Sequence, residues 1–246
     1  MNRLLEIITL TVQHPSSNLK LIDSLSLTLY EGEVLALVGA SGSGKSLVAQ
    51  ALFRILPANL SWDGIIRFKG KHMDEYIIKH CHHKSMLYIP ESIDALDPFK
   101  KIGKQLKLIT PPYVRRKQFI DNLKDLGLSK SVLTKYPFEI TSEQARKVLL
   151  LIALLSDAEL VVADKPLLGI NGQVLEDFKS DKGKTVLFTT NDIEVAANVA
   201  TRIAVMKEGK LVDIFPVEWL FDESNRQELH PYTLQLWQRS PSMKQQ

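Results

Sequence analysis

The octapeptide "GASGSGKS", Gly39 to Ser46, constrains this chain more than any other feature. It fits G-x-x-x-x-G-K-[ST] and stands between an apolar run, "EVLALV", and a stretch with apolar residues at helical spacing, "GKSLVAQALFRIL". A strand, a glycine loop and a helix in that order turn successive backbone N–H groups inward, with the helix N-terminus behind them. That arrangement is an anion cradle. The lysine and hydroxyl at its last two positions suit a polyphosphate, with Lys45 reaching the outer phosphates and Ser46 offering an oxygen to Mg2+. The helix is expected to end at Pro57. Further on, "ELVVAD" reads as a buried strand that delivers Asp164 at its end, where a carboxylate can hold a magnesium shell through water.

The segments around these two motifs divide into three kinds. From Leu4 to Gly39, short β-rich runs ("LLEIITLTV", "SLSLTLYEG", "EVLALVG") separated by turn residues predict an antiparallel layer feeding a buried strand. "DGIIRFKG" and "SMLYIP" are further strands. Between about residues 95 and 156 the pattern turns helical in "FKKIGKQLKLI", "RRKQFIDNLKDLGL" and "SEQARKVLLLIALL", a lobe inserted into an α/β body. Strand and helix then alternate again through "ELVVAD", "KTVLFTT", "IEVAANVA" and "RIAVMKEGKLVDI", and "PSMKQQ" is expected to fray.

Composition narrows the partners. With 31 Lys+Arg against 28 Asp+Glu, net charge is +3, too balanced to call for nucleic acid. The basic runs "FKKIGKQLKL" and "RRK" are read as solvated helix faces. The single cysteine, Cys81, excludes an internal disulfide and suits a reducing compartment. No signal peptide is read at the amino end, and no apolar run approaches the roughly 20 residues that cross a bilayer.

The order of phosphate loop, helical lobe, "KYPFEITSEQARKVLLLIALL" and "ELVVADKP" resembles the ATP-binding subunits of ABC transporters. The match is nearest to the dipeptide, oligopeptide and nickel importer class through "ESIDALDP", "YPFEI" and "HPYTLQL". The resemblance implies an α/β fold, the P-loop NTPase of ABC nucleotide-binding type, with an antiparallel β-subdomain and an inserted helical subdomain. It implies one domain over residues 1–246: a nucleotide-binding core at about 1–94 and 157–230, the helical subdomain at about 95–156, and a tail at 231–246. ATP and Mg2+ are the implied cofactors, with ATP on Gly39, Ala40, Ser41, Gly42, Ser43, Gly44, Lys45, Ser46 and Leu47, and magnesium on Ser46 and Asp164. The implied partners are a second ATP-binding subunit, two membrane-spanning permease subunits and an extracytoplasmic substrate-binding protein, and the implied place is the cytoplasmic face of the cell membrane. A groove on the helical lobe is expected to receive a helix of a permease.

The catalytic positions depart from that family. Its signature Leu-Ser-Gly-Gly-Gln reads Ile140, Thr141, Ser142, Glu143, Gln144, with both glycines gone. Lys165 stands where a glutamate polarises the attacking water, and a protonated lysine is no general base, a loss of about 10²–10⁴ in rate. The same cation can attract phosphate and so hold ATP without cleaving it. Pro90 replaces a metal-facing glutamine, Asn191 a histidine, and Asn171 an aspartate. The helix behind Asn171, "QVLEDFKSDKGK", reads as shortened. The phosphate loop alone is complete.

In a two-fold sandwich of a loop from one subunit and a signature from the other, the defects of this chain fall in different sites. The expectation is therefore a heterodimer with a competent paralogue. The alternative is a non-hydrolysing, nucleotide-gated regulatory or structural subunit of a membrane complex. A soluble phosphate-loop kinase is disfavoured because nothing supplies an acceptor-binding lid. The histidines at 80, 82 and 83 with His72 lack the spacing of a formed metal site, and His14 and Trp62, Trp219 and Trp237 are read as turn and packing residues.

Overall fold

The computed structural model describes residues 2–17, 19–73, 85–166 and 184–240. Two sheets dominate it. β1 (Arg3–Gln13), β2 (Lys20–Tyr30), β4 (Ser61–Phe68) and β5 (Lys71–His72) form one in the order β2-β1-β4-β5, with antiparallel pairing throughout. The second takes β3 (Val34–Val38), β6 (Met86–Ile89), β7 (Leu160–Ala163), β8 (Thr185–Thr190), β9 (Arg202–Lys207) and β10 (Lys210–Pro216) in the order β10-β9-β3-β8-β7-β6. It is parallel except at the β9–β10 hairpin. The sequence pattern merges those last two strands. Glu208 and Gly209 separate them by taking φ of +49° and +78°, the pair of positive values that a tight two-residue hairpin needs.

The parallel sheet is buried on both faces, which is why its strands read as unbroken apolar runs rather than alternations. Successive side chains nevertheless go to opposite faces. Val34, Ala36 and Val38 join Val161, Ala163, Val186, Phe188, Ile203 and Val205 in one apolar cluster with the helical lobe. Leu35 and Leu37 join Leu160, Val162, Leu187, Ala204 and Met206 in the other, against α1 (Lys45–Leu52) and the antiparallel sheet.

The lobe consists of α2 (Ile102–Ile109), α3 (Arg116–Asp125) and α4 (Ser142–Leu155). Because α4 lies between the other two helices of the lobe and the sheet, it is buried along most of its length. Its carboxyl end is closed by buried Lys184, whose ammonium donates to the carbonyl oxygens of Ala153 at 2.5 Å and Ser156 at 2.8 Å. Short helices α5 (Ile193–Val199) and α6 (Glu223–Arg226) precede α7 (Pro231–Gln238), which packs Trp237 into the core edge-on to Phe221.

The first helix departs from expectation: it ends at Leu52, not Pro57. Arg54 takes φ +56°, and Ile55 N–H returns to the Gln50 carbonyl at 3.1 Å while Arg54 N–H bonds Ala51, the left-handed stop that glycine usually makes. Arginine fills the role here because its guanidinium lies 3.7 Å from the Trp62 ring centre and donates to the Met73 carbonyl.

Candidate functional site

Parallel strands deliver the residues that follow them to one edge of the sheet. The phosphate loop follows β3, Asn191 follows β8, Asp164 and Lys165 follow β7, and Pro90 and Glu91 follow β6. Strand order β3-β8-β7-β6 sets them side by side.

The loop owes its shape to two glycines. A Cβ on Gly39 would lie 2.3 Å from the Met206 carbonyl oxygen, so β9 leaves no room for any other residue. Gly44 has φ +102° at the head of α1, a conformation closed to ordinary side chains. Lys45, only 3% exposed, is held by its own loop. Its ammonium donates to the carbonyl oxygens of Gly39 and Ala40 at 2.8 Å each and to Ser43 Oγ at 3.1 Å. Burial pushes its pKa down from 10.5 to about 8, the neighbouring cation of Lys165 adds to the fall, and Asp164 and Glu91 oppose it.

The buried carboxylate of Asp164 accepts two hydroxyls on one oxygen: Ser46 at 3.1 Å and Thr189 at 2.5 Å. Thr189 Oγ1 also accepts the N–H of Lys165 at 3.0 Å. Lys165 has φ +46°, uncommon for a side-chain-bearing residue, and this hydrogen bond fastens it there. Its ammonium grips both oxygens of Glu91, at 3.0 and 2.8 Å. The register explains the match: Ile89 pairs with Ala163, so Glu91 and Lys165 stand two residues beyond paired positions on adjacent strands.

Two further contacts reach the loop. Asn191 Nδ2 donates to Ser41 Oγ at 3.1 Å, and the Ala40 N–H donates to the Tyr232 hydroxyl of α7 at 3.3 Å. The Tyr232 ring in turn sits 5.2 Å from the Lys207 ammonium.

The loop, Asp164, Lys165 and Asn191 are thus brought together, with Pro90 at the neighbouring strand end. Thr141 to Gln144 belong to the helical lobe, where they form an ordinary helix start. Thr141 Oγ1 accepts from the Gln144 N–H and Gln144 Oε1 accepts from the Thr141 N–H, both at 3.1 Å. Glu143 is paired with Lys147 at 2.8 Å, and that partner lowers its carboxyl pKa. Its charge is therefore met by a cation one turn along the same helix. Asn171, the segment "QVLEDFKSDKGK" and the histidines at 80, 82 and 83 lie outside the described residues. His72 stands on β5, where its Nε2 accepts from Arg67 at 3.4 Å. His14 sits in a turn closed by its N–H to Leu19.

Sequence reasoning missed Glu91, Thr189 and Tyr232. Glu91 had a usable signal, a carboxylate directly after Pro90 in a chain that carries an unexplained lysine at 165. The contacts of Thr189 and Tyr232 depend on strand order and on the return of α7, which no local pattern encodes.

A sheet with these strand-end loops, an antiparallel layer and an inserted helical lobe is the ATP-binding cassette. The ABC transporter family profile matches residues 22–168, and the chain belongs to that family. It is similar in sequence to the oligopeptide transport ATP-binding protein OppF of Bacillus subtilis, at 30% identity over 92% of this chain and 78% of the relative. It is also similar to the peptide transport system ATP-binding protein SapD of Haemophilus influenzae, at 28% identity over 98% of this chain and 76% of the relative. Among solved structures, a dimeric ATP-binding cassette in a post-hydrolysis state bound to ADP and Pi matches with a TM-score of 0.73 at 20% identity, covering 87% of this chain and 98% of that one. Part of an ABC transporter complex, cbiO1 from Clostridium perfringens, matches with a TM-score of 0.72 at 20% identity over 100% and 98% of the two chains.

Proposed function

We propose that this chain is the ATP-binding subunit of a peptide-type ABC importer, and that its own site binds Mg-ATP but lacks the base to hydrolyse it. One observation carries the reading: the intact phosphate loop with its Ser46–Asp164 pair stands beside a lysine, paired to Glu91, where the family has a carboxylate. Domains of this family bind ATP, and the sequence relatives are named for peptide transport.

The donor set suits magnesium. A hydroxyl and a carboxylate already 3.1 Å apart are hard oxygen ligands, with room for waters in the cavity of about 190 Å³ over the loop. Bound magnesium would neutralise phosphate charge between Ser46 and Asp164. The loop's N–H groups and Lys45 would hold the phosphates, with a phosphate oxygen taking the place of Ser43 Oγ on the ammonium. Asp164 is kept oriented by Thr189, and Asn191 steadies Ser41 at the loop's mouth. As the strand ends stand in the structure, Glu91 is paired with Lys165, Asp164 accepts two hydroxyls on one oxygen and Asp192 caps α5 through the Glu194 and Val195 N–H groups, and position 165 itself offers a cation instead of a base.

The partners proposed are a second, catalytically complete ATP-binding subunit, two permeases and an extracytoplasmic binding protein, assembled at the cytoplasmic membrane face. Among the described residues no helix is long and apolar enough to cross a membrane. The lobe offers them Phe99 and Phe138, which are 89% and 75% exposed. Pairing with a complete subunit separates the defects: one composite site has this chain's loop without a base, and the other has the partner's base opposite Thr141–Gln144.

The test is ATP turnover by the reconstituted complex whose other ATP-binding subunit has its catalytic glutamate changed to glutamine. Turnover should fall to background. Hydrolysis persisting at more than a few per cent would show that this chain's site is active.

A further inference from the structure

Lys165 forms a wall shared by two cavities. One, of about 190 Å³, lies over the loop with Ser41, Gly42, Gly44, Lys45 and Ser46. The other, of about 280 Å³, is lined by Glu91, Thr189 and Asn191 among others. Its backbone is fastened by the Thr189 hydroxyl, so only the four-carbon stem and ammonium are free to travel between them. We propose that Lys165 selects for nucleoside triphosphate over diphosphate by exchanging the Glu91 carboxylate for the terminal phosphate.

This rests on the nucleotide-binding reading of the loop and adds to it a second phosphate cation with a built-in competitor. Three features support it. The Lys165–Glu91 pair is accessible to water, with side chains 26% and 44% exposed, and ion pairs of that kind hold weakly. A terminal phosphate carries more negative charge than one carboxylate and offers the same ammonium a stronger charge-assisted hydrogen bond. Lys45 is tied to the start of the loop by two carbonyls, so it serves phosphates inside the cradle, whereas Lys165 approaches from the β7 side. A diphosphate ends inside the cradle and leaves Lys165 with Glu91. A triphosphate extends toward it.

Isothermal titration of the full chain with Mg-AMP-PNP and with Mg-ADP tests the exchange. Asparagine tolerates the left-handed backbone, so Lys165→Asn is the first variant and Lys165→Arg the rescue. Lys165→Asn should weaken AMP-PNP by about tenfold or more, the scale of one charge-assisted hydrogen bond, and ADP by less than about threefold. Lys165→Arg should restore the preference. Glu91→Gln removes the competitor and should tighten AMP-PNP while leaving ADP nearly unchanged. Equal loss of both nucleotides in Lys165→Asn, or weakened AMP-PNP in Glu91→Gln, overturns the exchange. Lys45→Ala separates this from the parent reading: if both nucleotides still bind Lys45→Ala as they bind the unaltered chain, the loop is not the nucleotide site at all.

Discussion

Thr189→Val is the most informative single change to the site's framework. Thr189 is fully buried at the end of β8, and its hydroxyl links Asp164 to the backbone of Lys165. Valine fills nearly the same volume, so the cavity contribution is close to nil and the polar loss stands alone. A hydrogen bond to a charged acceptor contributes about 1.5–3 kcal/mol, and the stranded Lys165 N–H adds about 1 kcal/mol because it is only part-buried. The expected destabilisation is about 3 kcal/mol. Against a urea slope of about 3 kcal/mol/M for a chain of this size, the unfolding midpoint should fall by about 1 M. Urea titration followed by tryptophan fluorescence reads this directly. Thr189→Ser keeps the hydroxyl and loses one methyl, for a cost of about 1 kcal/mol. If valine proves as stable as serine, the hydroxyl is not what holds Asp164, and the account of the magnesium-facing carboxylate fails with it.

Gly39→Ala places a Cβ 2.3 Å from the Met206 carbonyl oxygen and should cost about 1–3 kcal/mol in the same titration while abolishing binding of a fluorescent ATP analogue. Lys45 yields a pH prediction. Its pKa in the folded chain, about 8, lies below its ordinary 10.5, so the folded state binds this proton less tightly than the unfolded one. The resulting penalty is complete below about pH 8 and is relieved as pH rises toward 10.5. Phosphate reverses the preference by favouring the ammonium, in a setting otherwise charged by Lys165, Asp164 and Glu91. Nucleotide binding at pH near 8.5 should therefore take up a proton, seen as a binding heat that depends on the buffer's ionisation heat, and buffer-independent heats would count against it. Thr141→Ala removes half of the capping box on α4 and should cost about 1 kcal/mol of stability, a loss that Thr141→Ser should largely avoid.

How much of this was legible in the sequence follows from how local each cause is. The strand–loop–helix around Gly39 to Ser46 is specified by adjacent residues, so the cradle was readable in full. The doubly buried sheet was readable as well, because burial on two faces removes alternation and leaves runs such as "LVVA". The end of α1 was not. Arg54 does what a glycine normally signals, and it does so because Trp62 and the Met73 carbonyl, both on other strands or turns, receive its side chain. A rule based on proline as the stop therefore placed the end too late. The capping role of Thr141 and Gln144 is local too, since their S/T-x-x-Q spacing lies within the four residues that also fall on the family signature.

The lysine at 165 shows where family comparison and physical reading part. Taken alone it is the loss of a base, and a loss needs no partner. Parallel pairing of Ile89 with Ala163 makes Glu91 and Lys165 neighbours by construction, so a cation at one position sets the charge that is tolerable at the other. The Glu91 carboxylate binds the ammonium through both oxygens. The two positions thus behave as one unit, and they should respond to mutation as one. In a double-mutant cycle on AMP-PNP affinity, Glu91→Gln should tighten binding when Lys165 is present and do nothing when residue 165 is asparagine. Additive effects would mean that the two side chains act on nucleotide independently and that their ion pair is incidental.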